Sequence, residues 1–145
     1  MAGYNFAQNI IGLKNSGGGG GGDSKHHYST EEQIVGTWLD GSPIYEKTYT
    51  GVLPTIIDGT FSNILIDTTT ENINLVVDYD IFVIQIINNN KLTVKTPYLT
   101  NGGQQLKAFY DGNQKVINVS SNASAYSECT LYATIRYLKN EEIGG

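Results

Sequence analysis

The sequence predicts an all-β fold, an antiparallel β-sandwich of jelly-roll character, and three observations carry that expectation. Residues suited to pleated, half-buried surfaces dominate, with 10 tyrosines against 3 prolines and charged residues at only 16% of the chain. Ile73, Leu75, Val77, Tyr79, Ile81 and Val83 alternate with Asn74, Asp78 and Asp80, the two-residue period of a strand with one buried side. Turn clusters recur at the spacing of roughly 8–12 residues that marks sandwiches. A chain of 145 residues is long enough for one core that buries roughly two thirds of its unfolded surface. It needs no disulfide, and its single cysteine could not form one within the chain.

Along the chain, six consecutive glycines at 17–22 have no side chain to bury, so residues 17–25 are expected to act as a flexible linker. Before them, residues 1–16 hold Tyr4, Phe6, Ile10, Ile11 and Leu13, too few apolar side chains for a core and too many for a solvated tail. Two readings stay open: a docking peptide, or a terminus that is disordered or folds back on its own domain. The β-domain is expected over 26–140, with a polar tail at 141–145. Ser29–Glu32 and Thr30–Gln33 have capping-box spacing, which predicts one short capped helical turn ended by Gly36. A hairpin follows, Thr37-Trp38-Leu39 turning through Asp40-Gly41-Ser42-Pro43 into Ile44 to Thr50, with Trp38 expected in the core as its anchor. The strand from Ile73 becomes continuously apolar from Ile81 to Ile87, as a central strand does, and Asn88-Asn89-Asn90 turns it into Leu92 to Lys95. Further strands are expected at Gln104 to Tyr110, Gln114 to Val119 and Thr130 to Leu138, the last closing a sheet.

Composition and motifs exclude several functions. The net charge is -5 and the 9 Lys and Arg are scattered, so neither nucleic acid nor an anionic membrane is an expected partner. No apolar run approaches the length of a bilayer span, and export through a cleaved signal is not expected. His26 and His27 point to opposite faces of an extended chain and read as a solvated loop rather than a metal site. Asp78 and Asp80 read as two solubilising charges on an exposed strand face, and Cys129 as a small buried hydrophobe. The glycine run lacks the Gly-Lys-Ser/Thr ending of a phosphate-binding loop, and no serine stands in a Gly-x-Ser-x-Gly elbow. No catalytic residue, metal or cofactor is therefore expected, and the chain does not read as an enzyme. The tyrosines exceed the needs of one small core, which leaves Tyr45, Tyr98 and Tyr110 as candidate interaction aromatics, although cross-strand packing is the commoner role for any one of them.

The stretch from His27 to Tyr45, HYSTEEQIVGTWLDGSPIY, resembles a segment found in small C-terminal modules of bacteriophage tail, baseplate and fibre proteins, and Ala133-Thr134-Ile135-Arg136-Tyr137-Leu138-Lys139 resembles the strand on which such modules finish. The resemblance implies a virion structural protein, located on the particle after assembly in the host cytoplasm, such as a head fibre, decoration or tail-associated module. It implies other virion proteins as partners and, together with the excess of tyrosine, a homotrimer; the apolar residues of 1–16 and the glycine linker after them supply the expected anchor. An alternative is a carbohydrate-binding module whose exposed aromatics contact a host-surface glycan. A sugar-cleaving depolymerase would require paired acids in a groove.

Overall fold

The computed structural model describes residues 26–141. Their strands are β1 (Gln33–Thr37), β2 (Pro43–Val52), β3 (Ser62–Asp67), β4 (Ile73–Ile87), β5 (Asn90–Lys95), β6 (Tyr98–Leu99), β7 (Gln105–Asp111), β8 (Val116–Ser121) and β9 (Thr130–Lys139). Single 3-10 turns at Thr69–Glu71 and Ser124–Tyr126 are the helical elements among the described residues. Two antiparallel sheets form, a five-stranded one in the order β1-β2-β9-β4-β5 and a four-stranded one in the order β3-β8-β7-β6. The all-β sandwich expected from the sequence is the fold observed.

Both sheets pair an early strand with a late one, β2 with β9 and β3 with β8, which is the nested outer pairing of a jelly roll. The interior is simpler, because β4 and β5 form a hairpin within one sheet while β6, β7 and β8 meander through the other. Asn88 and Asn89 both take positive φ, at 51° and 65°, which gives the β4–β5 hairpin the turn whose twist matches its strands. The core between the sheets is apolar, with Val83, Leu106, Ile117, Val119, Leu131, Ala133, Ile135 and Tyr137 fully buried. The last strand lies at the centre of its sheet, between β2 and β4, rather than along its edge.

Three expectations are corrected. Ser29 to Gln33 does not form a helical turn: the Ser29 hydroxyl accepts a bond from the Glu31 amide at 2.9 Å, and Gln33 already begins β1. Capping spacing can close a local serine turn when the next residues, here Ile34 and Val35, are drawn into a strand. Trp38 stands outside the buried core, in the turn where its amide donates to the Ser42 carbonyl at 2.7 Å. The unbroken alternation from Ile73 to Val83 is interrupted by two register shifts against β9, one between Ile73 and Leu75 and one between Val76 and Asp78. Each bulge adds one residue, so Val76 rather than Val77 pairs with Tyr137, and Leu75 is left 49% exposed.

Replacement of Ile135 by Ala, in the middle of this core, is expected to cost about 2–5 kcal/mol in urea unfolding. Leu39→Ala, at a side chain 92% exposed, should stay within about 0.5 kcal/mol of the parent in the same measurement.

Candidate functional site

The outer face of the five-stranded sheet carries a buried charge. Gln33, Glu46, Arg136 and Asp78 stand in one row across β1, β2, β9 and β4. Glu46 has no exposed surface, a position that an isolated carboxylate could not hold against its hydration energy. It is paired on both oxygens. Arg136 Nε donates to Oε2 at 2.8 Å, while His26 Nε2 lies 2.6 Å from Oε1 and the Gln33 side-chain amide donates to that same oxygen at 3.2 Å. Tyr28 packs edge-on against the His26 ring at 4.5 Å between centroids, and the Thr48 amide donates to the Ser29 carbonyl at 2.8 Å. His26 is thus a tie between the segment before β1 and the sheet, not the solvated loop residue expected from sequence.

A second polar cluster fills one end of the space between the sheets. Tyr45 and Tyr137 are paired in register and stack with ring centroids 6.0 Å apart, and the Lys139 ammonium lies 5.0 Å from the Tyr45 ring. Glu32 accepts from the Tyr137 hydroxyl at 2.5 Å and from Lys139 at 2.8 Å. Glu71, buried in the turn between β3 and β4, accepts from Lys47 at 3.1 Å and from the hydroxyls of Tyr49 and Thr70. Burial pushes the Tyr49 and Tyr137 hydroxyls above the ordinary tyrosine range, with Glu71 and Glu32 adding to the shift by accepting their protons in hydrogen bonds. Burial alone would raise Glu71 as well, but the bonds from Thr70, Tyr49 and Lys47, with the Lys47 charge, outweigh it and hold the carboxyl below its ordinary value. These three glutamates act as fasteners between segments: each is held by cations, hydroxyls or amides of the domain itself.

Among the described residues nothing covers the outer face of the four-stranded sheet, which is differently built. Asn63, Ser120 and Lys107 form one row across β3, β8 and β7. Leu65, Asn118 and Phe109 form the next, and Asp67, Val116 and Asp111 the third. Leu65 and Phe109 are each 49% exposed. Phe61, just before β3, lies under the Lys107 ammonium, 4.3 Å from its ring centroid. Asp67 and Asp111 also brace turns, accepting from the Thr69 amide at 3.0 Å and the Asn113 amide at 2.9 Å. Bonds from Thr69 hold the Asp67 carboxyl below its ordinary range, so it is ionised at neutral pH.

Of the sequence candidates, Tyr45 and Tyr110 pack against the core and Tyr98 is exposed on β6. Tyr4, Phe6, Ile10, Ile11 and Leu13 lie outside the described residues. Asp78 and Asp80 do share the outer face, within 3.8 Å of Arg136 and 3.2 Å of Lys95 respectively. Cys129 is half-buried against the core, where burial raises its thiol, and it lines an open depression of about 700 Å³ beside Ile84, Ile86, Ala125 and Tyr132. Among the described residues, no three His, Cys, Asp or Glu gather as a metal would require. Sequence reasoning passed over Phe61, Leu65 and Phe109, because both faces of β3 and β7 carry apolar residues and alternation alone does not say which one turns outward.

The depressed Glu71 carboxyl contributes stability that is present above its unfolded value, near pH 4.3, and lost as pH falls through the lower folded value. Glu71→Gln is therefore expected to flatten the acid limb of a stability-against-pH curve measured by urea unfolding. The raised Tyr49 and Tyr137 have the opposite sign, with stability complete below about pH 10 and lost above it, so Tyr137→Phe should flatten the alkaline limb.

No protein-family model, curated protein or solved structure matches the chain.

Proposed function

We propose that the chain is a bacteriophage virion protein, a head fibre, decoration or tail-associated module, in which residues 1–16 dock on the particle and the β-domain is displayed to other virion proteins or the host surface. The role is structural and adhesive rather than enzymatic, and its partners are other virion proteins and further copies of itself.

One observation supports this reading above the others. The two stretches that resemble phage modules, 27–45 and 133–139, are far apart in sequence yet come together on the β1-β2-β9 side of the larger sheet. Gln33 donates to the His27 carbonyl, Glu32 binds Tyr137 and Lys139, and Tyr45 stacks on Tyr137. The resemblance therefore falls on residues that hold each other in place, as a shared scaffold would require. The three buried or half-buried glutamates Glu32, Glu46 and Glu71 are committed to lysine, arginine, histidine and hydroxyl partners of the domain itself. A glycan-binding role through Tyr45 or Tyr110 fits less well, because both rings are packed on the core, and it is left to the exposed Tyr98 alone of the three candidate aromatics.

The test is the protein content of purified particles. Full-length chain is expected in them by mass spectrometry, with incorporation falling to background when residues 1–16 are deleted. Particles that lack the full-length chain would refute the virion reading, and normal incorporation of the truncated chain would refute the anchor.

A further inference from the structure

We propose that the open face of the four-stranded sheet is an interface with a second copy of this chain, related to the first by a two-fold axis lying in the face along the row of Leu65, Asn118 and Phe109. This goes beyond the virion reading and does not depend on it.

The face is complementary to itself in charge across its rows. On β7 the outward residues run Lys107, Phe109, Asp111, so the strand presents a cation, an apolar ring and an anion in order. On β3 they run Asn63, Leu65, Asp67, an amide donor, an apolar side chain and an anion. A two-fold axis along the middle row reverses the strand direction and leaves that row on itself. Lys107 then faces the second copy's Asp111, and the Asn63 amide faces the second copy's Asp67. Phe109 meets Phe109 and Leu65 meets Leu65, burying the half-exposed apolar centre of the face. Each contact occurs twice, as an isologous interface requires, and two such sheets would pack face to face about 10 Å apart.

The patch is small. Three rows of three residues per copy fall short of the roughly 20–30 residues per side of a standard interface. The dimer is therefore reversible, forms with rising concentration, and weakens with salt because its ends are held by exposed charges.

Sedimentation equilibrium on the full chain tests the proposal. Wild type is expected to pass from monomer to dimer as concentration rises. Phe109→Asp and Phe109→Lys, each placing like charges across the axis, are expected to remain monomeric alone and to form a one-to-one dimer when mixed. Leu65→Asp and Leu65→Lys repeat the test on β3, so loss of folding by one pair, seen by circular dichroism, leaves the other to decide. A wild type that stays monomeric at all concentrations, or forms a three-fold mass, overturns the proposal. So does dimerisation of the single-charge variants as strong as that of wild type, or a mixture of opposite variants that does not pair. Glycan-array binding by a monomeric wild type, lost in Phe109→Asp, would assign the face to a sugar instead.

Discussion

A carboxylate without exposed surface constrains everything around it. Glu46 sits in the middle of the outer row of the larger sheet, and an uncompensated charge there would cost several kcal/mol. Its satisfaction needs β9 to deliver Arg136, β1 to deliver Gln33 and the segment before β1 to deliver His26. Three parts of the chain are thus required in one place at once. On the inner face Leu131, Ala133, Ile135 and Tyr137 of the last strand β9 pair with Gly51, Tyr49, Lys47 and Tyr45 of the early strand β2, and the ionic row on the outer face makes other registers expensive.

The inner face repeats this device at its polar end. Tyr45, Lys47 and Tyr49 alternate on β2 toward the other sheet, where apolar residues alone would be ordinary. Glu71 and Glu32 meet them from the turn after β3 and from the segment before β1, so the end of the sandwich is closed by hydrogen-bonded acids instead of a loop of apolar residues. The fully apolar part of the core, around Leu131, Ala133 and Ile135, supplies the hydrophobic burial, and the two acid clusters supply positional specificity. The contrast with the open face of the smaller sheet is direct, since there Lys107, Asp67 and Asp111 are left at the surface beside half-exposed Leu65 and Phe109.

Much of the fold was legible because local signals and long-range pairing agreed. The β1–β2 and β4–β5 hairpins follow from Asp40-Gly41 and the asparagine run, and β9 from its clean alternation. Where they disagreed, pairing prevailed. The capping spacing at Ser29 to Gln33 lost to the edge of β2, and the alternation of β4 was broken by two bulges that no local pattern announces. Strand β3 gave no clear signal, because Ile64, Leu65 and Ile66 are contiguous and mask the period. The polar clusters were illegible for a deeper reason. Glu46 occupies an outward position in its strand and reads as a solvated charge, and its burial is created by residues 13, 20 and 90 positions away, whose partnerships exist only in the folded sheet.

The most direct measure of this account is a double-mutant cycle on Glu46 and Arg136 by urea unfolding. Arg136→Met is expected to cost about 3 kcal/mol or more, since it strands the buried Glu46 carboxylate, and Glu46→Gln is expected to cost about 1 kcal/mol or more, since the Arg136 it leaves is partly exposed and keeps Asp78 beside it. The double variant should lose markedly less than the sum, with a coupling of about 1.5 kcal/mol or more. Single costs within about 0.5 kcal/mol of the parent, or strictly additive losses, would show that the buried carboxylate does not organise the sheet and would contradict the account.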